Sequence, residues 1–267
     1  MAEFTAKDIA ALRKLTGAGI LDCREALLKN DGDLEKAAQW LREQGKVSAG
    51  KRADRDRSEG AVAVVVDGHV GAIVALECET DFVAKSADFV QLVDELAAEL
   101  AAGGETALEA QRERVEKLAV TLKENIAIGQ TRRFEAAEGS VIGSYLHIQN
   151  ARGVNAVLVE LAGGSQELAH DIAVHVAFSR PEYLRREDVP ENAVAAERQT
   201  IETISRNEGK PEAALPKIIE GRLNGWFKER CLLEQPYVRD EKQAIAGLLA
   251  SHGGADLLRF AQVVVGS

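Results

Sequence analysis

Apolar residues recur at helical spacing through the first forty or so positions and then at strand spacing, so the chain opens on helices and changes to hairpins. Ile9, Leu12 and Leu15 predict a first helix, which Thr5 can cap. Thr16-Gly17-Ala18-Gly19 breaks it, because glycine accepts the backbone angles of a tight turn. A second helix is expected from about Leu21 to Lys29. Asn30-Asp31-Gly32-Asp33 then forms a turn and a cap, and Leu34, Ala37, Ala38 and Leu41 share one face of a third helix. Residues 46–58 lose this periodicity and mix both charge signs, which predicts a solvated linker. A basic patch for RNA is the alternative there, diluted by Asp54, Asp56 and Glu59.

After Glu59-Gly60 the period becomes that of strands. Ala61–Val66 and Val70–Cys78 flank a turn at Asp67-Gly68, a strong hairpin signal between β-branched runs. A helix from about Ala84 to Ala102, stopped by Gly103-Gly104, a second from about Leu108 to Glu124 and an extended stretch from Asn125 to Glu135 complete a unit over 59–137. The same plan restarts at Glu138-Gly139. Val141–His147 and Val154–Leu161 predict a hairpin, Gln166–Phe178 a helix, Ala244–Leu249 a short helix and Leu257–Val265 a strand. Val70–Glu77 matches Val154–Leu161 in character, and Arg133-Phe134 echoes Arg259-Phe260. The expectation is an α+β protein with two duplicated subdomains, 59–137 and 138–267, each a three-stranded antiparallel sheet covered by helices.

The second unit carries an insertion over 188–233. Its composition is helical on both sides of Asn207-Glu208-Gly209-Lys210-Pro211, so it is expected to fold as an antiparallel helical hairpin, a short coiled coil projecting from the body. Val194, Ile201 and Ile204 would face Leu215, Ile218, Ile219 and Leu223. A three-helix unit of about 40 residues sits at the edge of independent stability. The one predicted over 1–45 resembles the ubiquitin-associated (UBA) type of small helical domain.

Composition narrows the function. The 267 residues are 46% hydrophobic but only 4% aromatic, so aliphatic packing makes the cores. A net charge of −10 argues against general nucleic-acid binding, which needs Lys and Arg to replace phosphate counterions. Cys23, Cys78 and Cys231 form no CxxC pair, which suits neither a zinc site nor a disulfide framework. The opening MAEFTAKDIAALRK has no apolar core of signal length, and no later apolar run reaches about 18 residues. A cytoplasmic protein without a membrane segment is expected.

The repeat also isolates what architecture does not require. The connection from Glu77 to Phe89 is about four residues longer than that from Glu160 to Leu168, and the surplus lies around Thr80-Asp81-Phe82-Val83-Ala84-Lys85. An aromatic residue beside a carboxylate on an overlong loop is a candidate reaching element. Equally, Phe82 could enter its own core and Asp81 could cap the next helix.

Leu12-Arg13-Lys14-Leu15-Thr16-Gly17-Ala18-Gly19-Ile20-Leu21-Asp22-Cys23-Arg24-Glu25-Ala26-Leu27 resembles the N-terminal signature of the elongation factor Ts family. Cys78-Glu79-Thr80-Asp81-Phe82-Val83-Ala84-Lys85 resembles its second signature, and the stretch from His170 through His175 to Pro181-Glu182-Tyr183-Leu184 is similar to a later family helix. Arg24 stands where the family usually has Lys, Glu77 where Asn is usual, and a small insertion follows His147. The resemblance implies a guanine-nucleotide exchange factor for the GTPase elongation factor Tu, with no catalytic residue, metal or cofactor of its own, acting on the partner's magnesium-GDP. It assigns partner contact to Thr80, Asp81, Phe82 and Val83 in an exchange loop, to Arg13, Ile20 and Leu21 on the N-terminal module, and less directly to Ile126 and His147. Ile20 and Leu21 can equally be a staple into their own core.

Two other classes are weighed. An enzyme would draw on His170, Asp171 and His175, but histidines five apart on a helix point about 140° apart and cannot share a metal. Asp171 and His175 read as a simple helix side-chain pair. A UBA-type binding module or tether without exchange activity accounts for the N-terminal unit but leaves the duplicated sheets and the Asp-Phe loop unexplained.

Overall fold

A computed structural model describes residues 4–16, 18–50 and 54–266, with side chains throughout except over 45–50. Gly17 of the expected first turn and 51–53 of the expected linker lie outside the described residues. The N-terminal module contains α1 (Ala6–Thr16), α2 (Ile20–Lys29) and α3 (Leu34–Gly50). Thr5 stands at the start of α1, but the cap comes from Asp8: the Thr5 N–H and hydroxyl both donate to Asp8 Oδ2 at 2.7 Å, while the Asp8 N–H donates to the Thr5 carbonyl at 3.1 Å. Asp33 Oδ1 accepts from the Glu35 and Lys36 amides, both at 3.0 Å, and so starts α3. Leu12, Cys23, Ala26, Leu27 and Ala37 form the core. Leu15, spaced as a core position, is exposed. The helix ends one residue later, and its last turn overhangs a core that alanines keep thin. A further difference is that α3 runs through Gly50, into the segment read as linker. Loss of apolar periodicity removes a buried face but does not by itself stop a helix.

The first sheet joins β1 (Glu59–Asp67) to β2 (Val70–Cys78). Asp67 pairs with Val70, so the turn is Gly68-His69, one residue later than expected, with Gly68 at φ +57°. Next come α4 (Asp81–Ala84), α5 (Ala87–Glu109), α6 (Arg112–Leu122) and β3 (Ala127–Glu135). Gly104, at φ +67° and ψ −160°, breaks the helical backbone inside α5, where the sequence placed a stop, and a second helical piece continues to Glu109. In the second unit β4 (Ser140–Gln149) and β5 (Arg152–Ala162) precede α7 (Gln166–Ser179). The hairpin helices are α8 (Glu191–Asn207) and α9 (Leu215–Arg230). A small ribbon of β6 (Pro236–Tyr237) and β7 (Asp240–Ala244), then α10 (Ile245–Ser251) and β8 (Asp256–Val264), complete the chain.

The sheets run β1-β2-β3 and β4-β5-β8, all antiparallel, and the central strand is the second of each unit. That is the duplicated α+β plan expected from the pattern. What the pattern did not give is how the sheets meet. Each has two apolar faces: Ala72, Val74 and Leu76 of β2 pack under α5, while Ile73 and Ala75 meet Ile142, Ala156 and Leu158 of the second sheet. The layers are therefore helix, sheet, sheet, helix, with α7 and α10 closing the far side. A Cβ at Gly71 would lie 2.9 Å from Leu158 Cδ2 and 3.0 Å from Ile142 Cγ2, so glycine is what lets the sheets approach there. Arg152 adds a polar tie, donating to the Gly60 carbonyl and to Glu59, both at 2.7 Å.

The β4–β5 turn carries a correctable strain. Gln149 pairs with Arg152, leaving Asn150 and Ala151 at φ +53° and +62°. Such a turn favours glycine second, and alanine in the left-handed region costs about 1 kcal/mol. Ala151→Gly is expected to stabilise the protein by about 0.5–1 kcal/mol, read from the urea midpoint at constant m-value.

In the insertion, Val189, Ile201, Leu215, Ile219, Leu223, Phe227 and Cys231 form a separate core on which Val194 packs. Ile204 and Ile218 are not part of it. Ile204 is exposed, and Ser205 takes the buried position one residue on, its hydroxyl donating to the Ile201 carbonyl at 2.8 Å. The hairpin's principal contacts are between its own helices and with the turn at its base.

His175 and Asp171 do not pair. Asp171 bridges Arg239 at 2.8 Å, while His175 is fully buried. Its Nε2 lies 3.0 Å from Gln235 Oε1, and the Val238 N–H donates to Nδ1 at 3.3 Å, which sets a neutral ring protonated on Nε2. Burial pushes its pKa below the ordinary value. The unfolded chain then binds a proton near pH ~6.5 that the folded chain still refuses. This contribution to stability is complete above that pH and is lost as pH falls through the lowered folded value. Melting temperature should fall between about pH 7 and pH 5, and His175→Gln should flatten that fall.

Candidate functional site

The stretch over Thr80–Lys85 is a one-turn helix, α4, rather than the loop expected from its length. Thr80 is its N-cap, accepting the Val83 N–H at 3.4 Å, and the Ala84 N–H reaches the Thr80 carbonyl at 3.2 Å. Asp81 does not cap the following helix: it opens α4 and forms an i,i+4 ion pair with Lys85. The Lys85 hydrogen bond holds the Asp81 carboxyl below its usual range. Ala84 is buried, Val83 packs on the first subdomain core, and Ser86 Oγ donates to the Val83 carbonyl at 2.8 Å.

Phe82 leaves this turn and points outward, 83% exposed. The alternative of a phenylalanine tucked into its own core is therefore overturned. The ring stands as apolar surface in water on an anchored turn.

The N-terminal module presents a second apolar surface. Ile20 is 55% and Leu21 79% exposed, so neither is a staple into its own core, and Arg13 is exposed as well. The flanking Asp22 accepts a salt bridge from Lys123 at 2.7 Å, tying the module to the first subdomain beyond α6. His147 is exposed at the end of β4, its Nδ1 lying 3.3 Å from the Tyr145 hydroxyl. Ile126 is different: it is 7% exposed and belongs to the first subdomain core. It stands just before β3 and packs inward, so its side chain supports the first subdomain rather than lying on the surface. Glu77, a departure from the family pattern, lies 3.3 Å from Arg57 and covers Gly129, where a Cβ would meet its Oε1 at 2.3 Å.

One residue that holds the α4 turn had no signal in the sequence. Glu124, between α6 and β3, accepts from the Glu79 amide at 3.0 Å, from the Thr80 amide at 3.1 Å and from the Thr80 hydroxyl. It meets Thr80 across 44 positions of chain, and no local pattern announces such a pairing.

Fold and site define a class: a doubled-sheet α+β protein with a small helical module in front and an aromatic finger held clear of the body. The family model described as Elongation factor TS matches residues 79–267, and the one described as Elongation factor Ts, mitochondrial, N-terminal matches residues 2–50. The chain belongs to the elongation factor Ts family, and thus to the factors of protein biosynthesis. Elongation factor Ts of Kineococcus radiotolerans is 42% identical over 279 residues, covering 100% of both chains. That of Mycobacterium ulcerans is 43% identical over 274 residues, covering 100% of this chain and 99% of its own. That of Clavibacter michiganensis is 44% identical over 279 residues, again with 100% of both covered. Among the described residues, no helix is long and apolar enough to cross a membrane.

Proposed function

We propose that the chain is a guanine-nucleotide exchange factor of the cytoplasm: it binds elongation factor Tu, loosens bound magnesium-GDP, and allows GTP to reload during translation elongation. The observation that carries this is Phe82, displayed in water on a turn that Thr80, Lys85 and Ser86 anchor. Inserted between helices of the partner's nucleotide domain, the ring would gain on the order of 2–3 kcal/mol by burial and hold apart groups that close around GDP. Asp81 beside it supplies a charged contact, while Thr80 and Val83 set the turn. Ile20, Leu21 and Arg13 hold the partner from the module, His147 touches it from β4, and the second subdomain grips another of its domains.

The function asks for no metal, cofactor, nucleic acid or membrane, and for no covalent step. Its thermodynamics are reciprocal: the factor weakens GDP as much as GDP weakens the factor, and incoming GTP helps to expel it. Stopped-flow release of labelled GDP from elongation factor Tu is the test. Release should accelerate with factor concentration and reach a plateau. A complex that forms while GDP leaves at its unassisted rate would make the chain a tether and end the exchange proposal.

A further inference from the structure

The finger's orientation is held by a residue from another part of the chain. Every polar atom of Thr80 is occupied. Its amide and hydroxyl both donate to Glu124, its hydroxyl oxygen accepts from Val83, and its carbonyl accepts from the Cys78 thiol at 3.2 Å and the Ala84 amide. Glu124 also takes the Glu79 amide, and Glu79 Oε1 returns the exchange by accepting the Asn125 amide at 2.7 Å. Two corners, 79–80 and 124–125, are thus latched by each other's carboxylates. Asn125 extends the latch to the Arg55 carbonyl at 2.7 Å, and the Arg55 guanidinium lies 3.3 Å from Glu79, offsetting the paired negative charge.

Lys123 makes the latch possible. At φ +60° and ψ +30° it ends α6 in the left-handed region, which turns the chain sharply before Glu124. The duplicated unit serves as a control. There the turn from β5 to α7 is made by Gly163 and Gly164 at φ +71° and +82°, and Ser165 caps α7 by accepting the Leu168 amide at 3.1 Å. That corner carries no Phe-bearing turn, and among the described residues no carboxylate latches it: its long-range bond runs from the Gly163 amide to the Gly139 carbonyl at 3.3 Å.

We propose that Glu124 is the positioning residue of the exchange finger: through Thr80 it fixes the direction in which α4 presents Phe82. The proposal rests on the exchange function for its effect on rate, and on geometry alone for its effect on the free protein. A carboxylate serves two amides and a hydroxyl, whereas the carboxamide of Glu124→Gln keeps one acceptor oxygen and turns donors towards donors. Glu124→Ala removes all three bonds and leaves the finger's own residues untouched.

The test uses the full chain, with Glu124→Ala and Glu124→Gln, and two readouts. In the free protein, amide hydrogen exchange at Glu79 and Thr80 should accelerate by about tenfold or more in Glu124→Ala, while amides of β2 and α5 keep their protection. With elongation factor Tu, the maximal rate of GDP release should fall about tenfold in Glu124→Ala and less in Glu124→Gln, with half-saturation within about twofold of wild type. A variant that loses protection throughout has lost its fold, and the glutamine variant then carries both readouts. Unchanged protection at Glu79 and Thr80 would overturn the proposal, as would an unchanged maximal rate. A shift in half-saturation alone would also overturn it, making Glu124 a partner contact. Failure of the exchange function is a separate result: Phe82→Ala would then release GDP like wild type, whatever the Glu124 amides do.

Discussion

Phe82→Ala is expected to slow factor-stimulated GDP release from elongation factor Tu by about 30- to 160-fold while the protein keeps its fold. The size follows from the wedge: losing about 2–3 kcal/mol of burial made only in the exchanging complex is lost from the barrier, at one decade per 1.36 kcal/mol. Stability should scarcely move, because the ring is 83% exposed and an exposed substitution falls within about 0.5 kcal/mol. A melting curve beside the stopped-flow series separates the two effects. Asp81→Ala should be milder, since the Asp81–Lys85 pair is half-exposed and neighbouring bonds still hold the turn. A Phe82→Ala protein that releases GDP as fast as wild type would leave the aromatic finger without a function.

The exposure of Phe82 was the question the sequence could pose and not answer. A phenylalanine after a strand is as good a core residue as a wedge, and only the longer connection hinted that it had somewhere else to go. The repeat itself was legible, because Asp-Gly between β-branched runs and the return of Arg-Phe in each last strand are local signals. The packing of sheet on sheet was not. A strand buried on both faces, such as β2 with only Val70 and Glu77 short of full burial, loses the alternation that tells one face from the other. The burial of Ile126 was not legible either: it stands just before β3, and whether such a residue faces in or out depends on how the chain enters the sheet. Glu124 was beyond reach because its partners lie far away in sequence and its own neighbourhood, Lys-Glu-Asn, reads as a polar turn.

The Arg-Phe echo also shows where duplication ended and divergence began. Arg133 reaches its own unit, donating to the Leu100 carbonyl of α5 at 3.1 Å. Arg259 pairs with Glu160 of β5 in its own unit and also reaches the other, donating to the Glu135 carbonyl at 2.9 Å and stacking 4.3 Å above the Phe134 ring. Glu160 is only 3% exposed, so its carboxylate depends on that guanidinium. Arg259→Ala would strand a buried charge and remove the cover of Phe134 at the junction of the two sheets. Breaking one side of a fully buried pair costs about 3 kcal/mol, but the Arg259 side chain is half-exposed and partly screened, so we expect a loss of about 1–3 kcal/mol in urea unfolding. Lysine at this position keeps the charge but neither the fork nor the flat stacking surface, so Arg259→Lys should fall between. Arg259→Ala combined with Glu160→Gln should recover part of the loss, because the stranded charge is gone. A loss below about 1 kcal/mol in the single alanine variant would mean that water reaches Glu160 and that the junction holds by its apolar contacts alone.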